Sequence, residues 1–142
     1  MSGSRAPREA RARVRAAAAG RCGYCLARQE HLPWPLELEH LVPRAKGGTD
    51  REENLWLACH SCNLHKSDQT HGMDPLTGRR VRLFNPRRQR WPRHFRWSAE
   101  GAHIVGRTAC GRATVVALSL NNLTALTVRR NWIRAGWHPP SP

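Results

Sequence analysis

Two Cys-x-x-Cys pairs, Cys22-Gly23-Tyr24-Cys25 and Cys59-His60-Ser61-Cys62, flank a 33-residue insert. Thiolates two residues apart each span two corners of a tetrahedron without strain, so the pairs together offer zinc a full ligand set. Disulfides or a redox Cys-x-x-Cys are the competing uses. The count of five cysteines is odd, and two such pairs in a basic intracellular chain favour thiolate zinc. Four thiolates leave His60 no vacancy, and Cys110 reads as a packed residue near the start of a buried helix. A chain of 142 residues with 39% hydrophobic content and mean hydropathy −0.65 builds a modest core that benefits from a staple. One domain is expected over 1–142: a core at 21–71, an N-terminal basic helix at 7–19 and a C-terminal extension at 74–137.

Charge narrows the partners. Lys and Arg number 24 against 10 acids, a net charge of +14. Residues 5–21 carry six arginines against Glu9 alone, and Arg79 to Arg96 holds eight arginines and no acid. Eight of the ten acids lie between Glu30 and Asp74, where both lysines, Lys46 and Lys66, also fall. A chain this basic meets a polyanion, most commonly nucleic acid. No stretch approaches the roughly 20 apolar residues of a membrane span. Met1–Gly20 has no continuous apolar run of the kind a secretory signal needs. A cytoplasmic protein without a membrane partner is expected.

The periodicities predict an α+β chain. Pro7–Ala19 reads as a helix with Val14 and Ala18 inward, stopped by Gly20. Pro33 and Pro35 bracket Trp34 and exclude regular structure at 31–35. Leu36–Leu41 alternates as a half-buried strand, with Leu36, Leu38 and His40 on one face and Glu37, Glu39 and Leu41 on the other. Pro43–Asp50 is a loop, Leu55–Ala58 a second strand, and 63–70 a helix. Beyond it come a turn at 74–78, a strand at 81–84, a hairpin of 94–97 with 103–106, and helices at 112–120 and 123–135. His138 begins a frayed tail. The tryptophans, Trp56 especially, are expected mostly in the core.

Within the insert and just after it stand Glu39-His40, Gly47-Gly48, Asn54-Leu55 and Cys62-Asn63-x-x-Lys66. Together with both cysteine pairs, this pattern over about 21–71 resembles the HNH endonucleases of the ββα-metal (His-Me finger) group. Asp74-Pro75-x-Thr77-Gly78, Leu83-Phe84-Asn85-Pro86-Arg87, Trp91, His94-Phe95-x-Trp97 and Gly111-Arg112-Ala113-Thr114 are similar to a small bacterial subfamily of that group. The resemblance implies a ββα-metal module stapled by a four-cysteine zinc, with an N-terminal basic helix and a C-terminal hairpin plus helices. It implies a metal-dependent phosphodiester hydrolase acting on DNA, with RNA possible. His40 is then the general base, which an imidazole near neutrality suits. Glu39 and Asn63 hold Mg²⁺ or Mn²⁺, hard ions matched to oxygen ligands. Asn54 constrains the loop and orients the histidine, and Lys66, on the helix face of Asn63, grips the scissile phosphate. Arg44, Lys46, Lys66, Arg87, Arg88 and Arg90 are the expected nucleic-acid contacts.

The chain departs from the family pattern at four places. Glu39 stands where Asp is commoner, and Asn63 makes the motif H-N-N. Ser67 replaces a frequent glycine, and Glu37 stands where relatives commonly carry histidine. His65 reads as structural or DNA-contacting, and His71 is a weaker candidate for approaching the metal. His31, His94, His103 and His138 read as packing or surface residues. The alternative function is a non-catalytic, zinc-stapled nucleic-acid-binding module. A zinc redox protein leaves the acid-His-Asn-Lys set and the charge unexplained. A targeting or defence-system partner is compatible with the absence of a recognisable specificity domain.

Overall fold

The computed structural model describes residues 7–140. The chain divides into two compact units, one reaching Thr70 and including Asn85–Arg88, the other made of His71–Phe84 and Gln89 onward.

In the first unit, α1 (Arg8–Ala17) turns Ala10 and Val14 inward, with Ala18 just beyond it, while most of its arginines stay exposed. That stripe packs on a two-stranded antiparallel sheet of β1 (Glu37–His40) and β2 (Leu55–Ala58). The register pairs Glu37 with Ala58, Glu39 with Trp56 and His40 with Leu55. Leu36, Leu55, Leu57, Ala58 and Tyr24 form the core beside the cysteines. Gly23 is required by close approach. A Cβ there would stand 2.5 Å from Trp56 Cδ1 and 2.7 Å from Pro86 Cβ. Trp56 itself is half-buried under Arg87, whose guanidinium sits 5.2 Å from the ring centroid and donates to the Leu55 carbonyl. Contrary to the expectation of a mostly buried set, Trp34 and Trp137 are exposed and the other four tryptophans, Trp56 included, are only half-buried.

The helix after β2, α2 (His60–Lys66), begins three residues before the expected Asn63 and ends well before 70. Its start is set by Cys59, whose sulfur accepts the Cys62 amide as a cap. Its end is set by Ser67, which adopts φ 51°.

In the second unit, β3 (His71–Met73) pairs antiparallel with β4 (Arg80–Arg82) around a turn organised by Asp74. The Asp74 carboxylate accepts from Leu76 N, Thr77 Oγ1 and both Nε and Nη2 of Arg112. The Arg112 guanidinium holds this carboxyl well below its ordinary range. A short helix α3 (Trp91–His94) leads into the expected hairpin of β5 (Phe95–Trp97) and β6 (Ile104–Gly106). Then α4 (Ala109–Ala117) starts three residues before the expected 112, because Thr108 caps it by accepting from Gly111 N. The last helix, α5 (Leu123–Arg134), is capped by Asn122. Cys110 is half-exposed near the start of α4.

The tail is better held than expected. The His138 ring meets Trp97 edge-on at 4.3 Å and its Nε2 bonds the Gly101 carbonyl, while Ser141 and Pro142 lie outside the described residues. Among the described residues no helix is long and apolar enough to cross a membrane.

Candidate metal centre and catalytic cluster

The sulfurs of Cys22, Cys25, Cys59 and Cys62 lie within 4.8 Å of one another, and those of Cys25 and Cys59 are 3.7 Å apart. A zinc ion bonded to four thiolates at about 2.3 Å sets its ligands roughly 3.8 Å from one another, so the cluster has the size of a tetrahedral zinc shell. Burial pushes the Cys22 thiol up, and hydrogen bonds from Cys22 and Cys25 push Cys59 down. Cys22 and Cys25 bracket a tight knuckle in which Cys22 N donates to Ala27 O and Leu26 N to Cys22 O. His60 lies apart from the sulfurs at the helix surface, as its missing vacancy requires.

Next to this centre lies a buried polar set. Glu39 and Lys66 are each 2% exposed, and Lys66 Nζ stands 2.6 Å from Glu39 Oε1. Oε1 makes no aligned hydrogen bond; it faces the ammonium as an ion pair. Tyr24, inside the cysteine knuckle, donates its hydroxyl to Glu39 Oε2 at 2.7 Å. Lys66 also donates to the carbonyls of His40 and Leu41 at 3.3 and 3.2 Å. Burial raises the Glu39 carboxyl, with Lys66 and Tyr24 pulling it back. This arrangement differs from the roles that the resemblance implies. Lys66 offers no charge to a phosphate while it is buried against Glu39. A divalent ion at Glu39 Oε1 would have to occupy the place of that ammonium.

Breaking the pair from one side strands a charge in the interior. Lys66→Ala is therefore expected to lower stability by about 3–5 kcal/mol. A surface phosphate contact would change it by no more than about 0.5 kcal/mol. Urea unfolding of the zinc-loaded protein separates the two.

Asn63 is placed elsewhere. Its amide donates to Glu37 Oε1 at 2.8 Å, and Glu37 Oε2 lies 2.8 Å from His60 Nδ1. Glu37 and Glu39 share one face of β1, as alternation predicts, and α2 lays Asn63 over the first and Lys66 over the second. Glu39 and Asn63 thus stand against different partners, Glu39 against Lys66 and Tyr24, and Asn63, through its amide nitrogen, against Glu37.

His40 closes β1 on the opposite face. Its ring is about a quarter exposed, and Nε2 lies 2.7 Å from Asp50 Oδ1. Arg44 reaches the same oxygen through Nη2 at 2.6 Å and Nε at 3.2 Å. His40 first, and then Arg44, hold the Asp50 carboxyl below its usual range. The loop bringing Asp50 back to His40 is closed by Asn54. Its Oδ1 accepts from Val42 N, and its Nδ2 donates to the carbonyls of Val42 and Thr49. Gly48 lies within this closure, where a side chain would overlap the Val42 carbonyl oxygen.

The basic candidates separate by exposure. Arg44, Lys46, Arg88 and Arg90 are exposed, whereas Arg87 is tied to Leu55 and Trp56. His65 bonds Ser61 O on the helix surface, and His71 belongs to β3 of the second unit. Asp50 and Tyr24 carry no role in the motif as read from sequence. Their signals were the acid ending Gly47-Gly48-Thr49-Asp50 and the aromatic enclosed by a Cys-x-x-Cys.

An antiparallel strand pair followed by a helix, joined by a buried four-cysteine cluster compatible with structural zinc and ending its first strand in histidine, defines a ββα module. Residues 22–69 match the family model for HNH endonuclease, so that class of module has its HNH signature over the segment that carries the cysteines, His40 and Asn63. No curated protein and no solved structure matches the chain.

Proposed function

We propose that this protein is a metal-dependent endonuclease that hydrolyses phosphodiester bonds of DNA, with His40 as the general base. The observation that carries the reading is the half-buried imidazole at the end of β1, held at one nitrogen in a segment with the HNH signature. His40 takes a proton from a water molecule as that water's oxygen attacks phosphorus and the 3′ oxygen leaves. A divalent ion, Mg²⁺ or Mn²⁺, supplies charge neutralisation on the leaving oxygen when bound. Glu39 would hold such an ion by releasing Lys66, and Asn63 would offer its Oδ1, the atom not used in its Nδ2 bond to Glu37. Asn54 keeps the His40 loop closed while substrate binds. The products are a 5′ phosphate and a 3′ hydroxyl. The test is incubation of pure, zinc-loaded protein with supercoiled plasmid. Mg²⁺ or Mn²⁺ should permit nicking and their omission should prevent it; no nicking under any divalent ion favours a binding module.

The exposed arginines and Lys46 supply affinity by displacing counterions from phosphates. Reversing Arg88 and Arg90 together should weaken DNA binding and flatten log K against log salt by about 0.9 for each phosphate no longer neutralised. Titrations at several salt concentrations measure it. An unchanged slope moves the DNA path to α1 or to Arg44 and Lys46.

A further inference from the structure

We infer that Asp50 is the positioning residue for His40, holding the proton on Nε2 so that Nδ1 is the nitrogen that takes the proton from water. The inference rests on the nuclease reading for its consequence, but its geometry stands apart from it.

An imidazole nitrogen 2.7 Å from a carboxylate oxygen must carry a proton, because an ionised carboxylate only accepts. Asp50 is kept ionised by its two partners, His40 and Arg44. The neutral ring then has its lone pair on Nδ1. When Nδ1 takes the water's proton, the imidazolium formed keeps its Nε2–H on Asp50, and the carboxylate stabilises the positive charge without itself being protonated.

Geometry fixes the carboxylate as firmly as the ring. Asp50 follows the Gly47-Gly48 turn, and Asn54 ties both ends of that loop through Val42 and Thr49. Leu41 N donates to Asn54 O, so the residue after His40 is held by the same asparagine. Arg44 grips the same Asp50 Oδ1. Lys66 fixes the backbone of His40 through its carbonyl. Ring and backbone of His40 therefore have separate holders, Asp50 for one and Lys66 for the other. Asn54 acts on the histidine through Asp50, by setting the loop on which it stands.

The charge of Asp50 makes a positioning role separable from a binding role. Removing an acid beside Arg44 and Lys46 makes the surface more positive and, on electrostatic grounds alone, tightens DNA binding. Loss of a group that orients the base acts in the opposite sense on turnover, typically by about 10–100-fold for a supporting residue.

The experiment pairs spectroscopy with kinetics on full-length, zinc-loaded protein. Long-range ¹H–¹⁵N correlation reads the histidine tautomers, with His40 assigned through His40→Gln. Wild type should show His40 protonated on Nε2 at neutral pH, and Asp50→Ala should populate both tautomers. In plasmid nicking, Asp50→Ala should lose about 10–100-fold in kcat while Kd for DNA stays equal or falls. Asp50→Glu should recover part of the loss, and zinc content should be unchanged in every variant. An Nδ1–H ring in wild type overturns the inference. So does Asp50→Ala with wild-type kcat, or with weaker DNA binding that accounts for the whole loss. If wild type nicks no DNA but its tautomer is Nε2–H and shifts in Asp50→Ala, the nuclease reading fails and the hold of Asp50 on His40 stands.

Discussion

Cys59→Ser is expected to release zinc and unfold the first unit, the largest single effect on stability that the structure supports. Two functions are lost at once. Cys59 is one of four sulfurs sized for a tetrahedral metal shell, and its sulfur also caps α2 by accepting from Cys62 N. Structural zinc contributes about 10–16 kcal/mol in small sites, and a domain of this size is stable by only about 5–15 kcal/mol. Loss of the metal therefore exceeds what α1 and the two-stranded sheet can offset. α2 carries Asn63 and Lys66, so Glu39 would lose its buried partner in the same event. Elemental analysis and circular dichroism of wild type and variant should show about one zinc per chain in the first and a collapsed melting transition in the second. A zinc-free wild type, or a variant that melts like it, removes the staple.

His40→Ala should lower nicking by at least the factor of roughly 10²–10⁴ assigned to a general base, leaving the rest of the molecule intact. The side chain is about a quarter exposed and His40 is not among the fully buried residues. Its removal frees Asp50 to remain with Arg44, which is an exposed pair of little energetic consequence. Zinc content, melting temperature and DNA affinity should thus stay near wild type. A variant that loses activity together with zinc would instead report unfolding.

Much of the first unit was legible in the residues. Alternation gave β1 with Glu37 and Glu39 on one face, the cysteine spacing gave the four-sulfur cluster, and Val14 and Ala18 gave the inward stripe beside α1. What alternation cannot give is which acid of a face is buried. That was decided in three dimensions by Lys66, four residues after Cys62, arriving over Glu39 while Asn63 arrived over Glu37. The shared face made either carboxylate a candidate ligand, and only the helix position separates them. The helix ends shifted for similarly local reasons. A cysteine cap at Cys59 and a threonine cap at Thr108 started α2 and α4 three residues early, and Ser67 ended α2 where no glycine signalled a stop. Asp50 was hidden because it lies ten residues from His40 across a loop, a distance that Asn54 closes. The second unit kept its hairpin and helices, yet the turn built on Asp74 and Arg112 depends on a pairing 38 residues apart that no periodicity encodes.

The role of His40 as general base is tested most directly by the rate of supercoiled-plasmid nicking. Zinc-loaded wild type and His40→Ala are measured in parallel with saturating Mn²⁺, and zinc content is determined on the same samples. Wild type should nick only with the added ion, His40→Ala should lose at least about 10²-fold, and zinc should be equal in both. Nicking by His40→Ala at the wild-type rate would contradict that role.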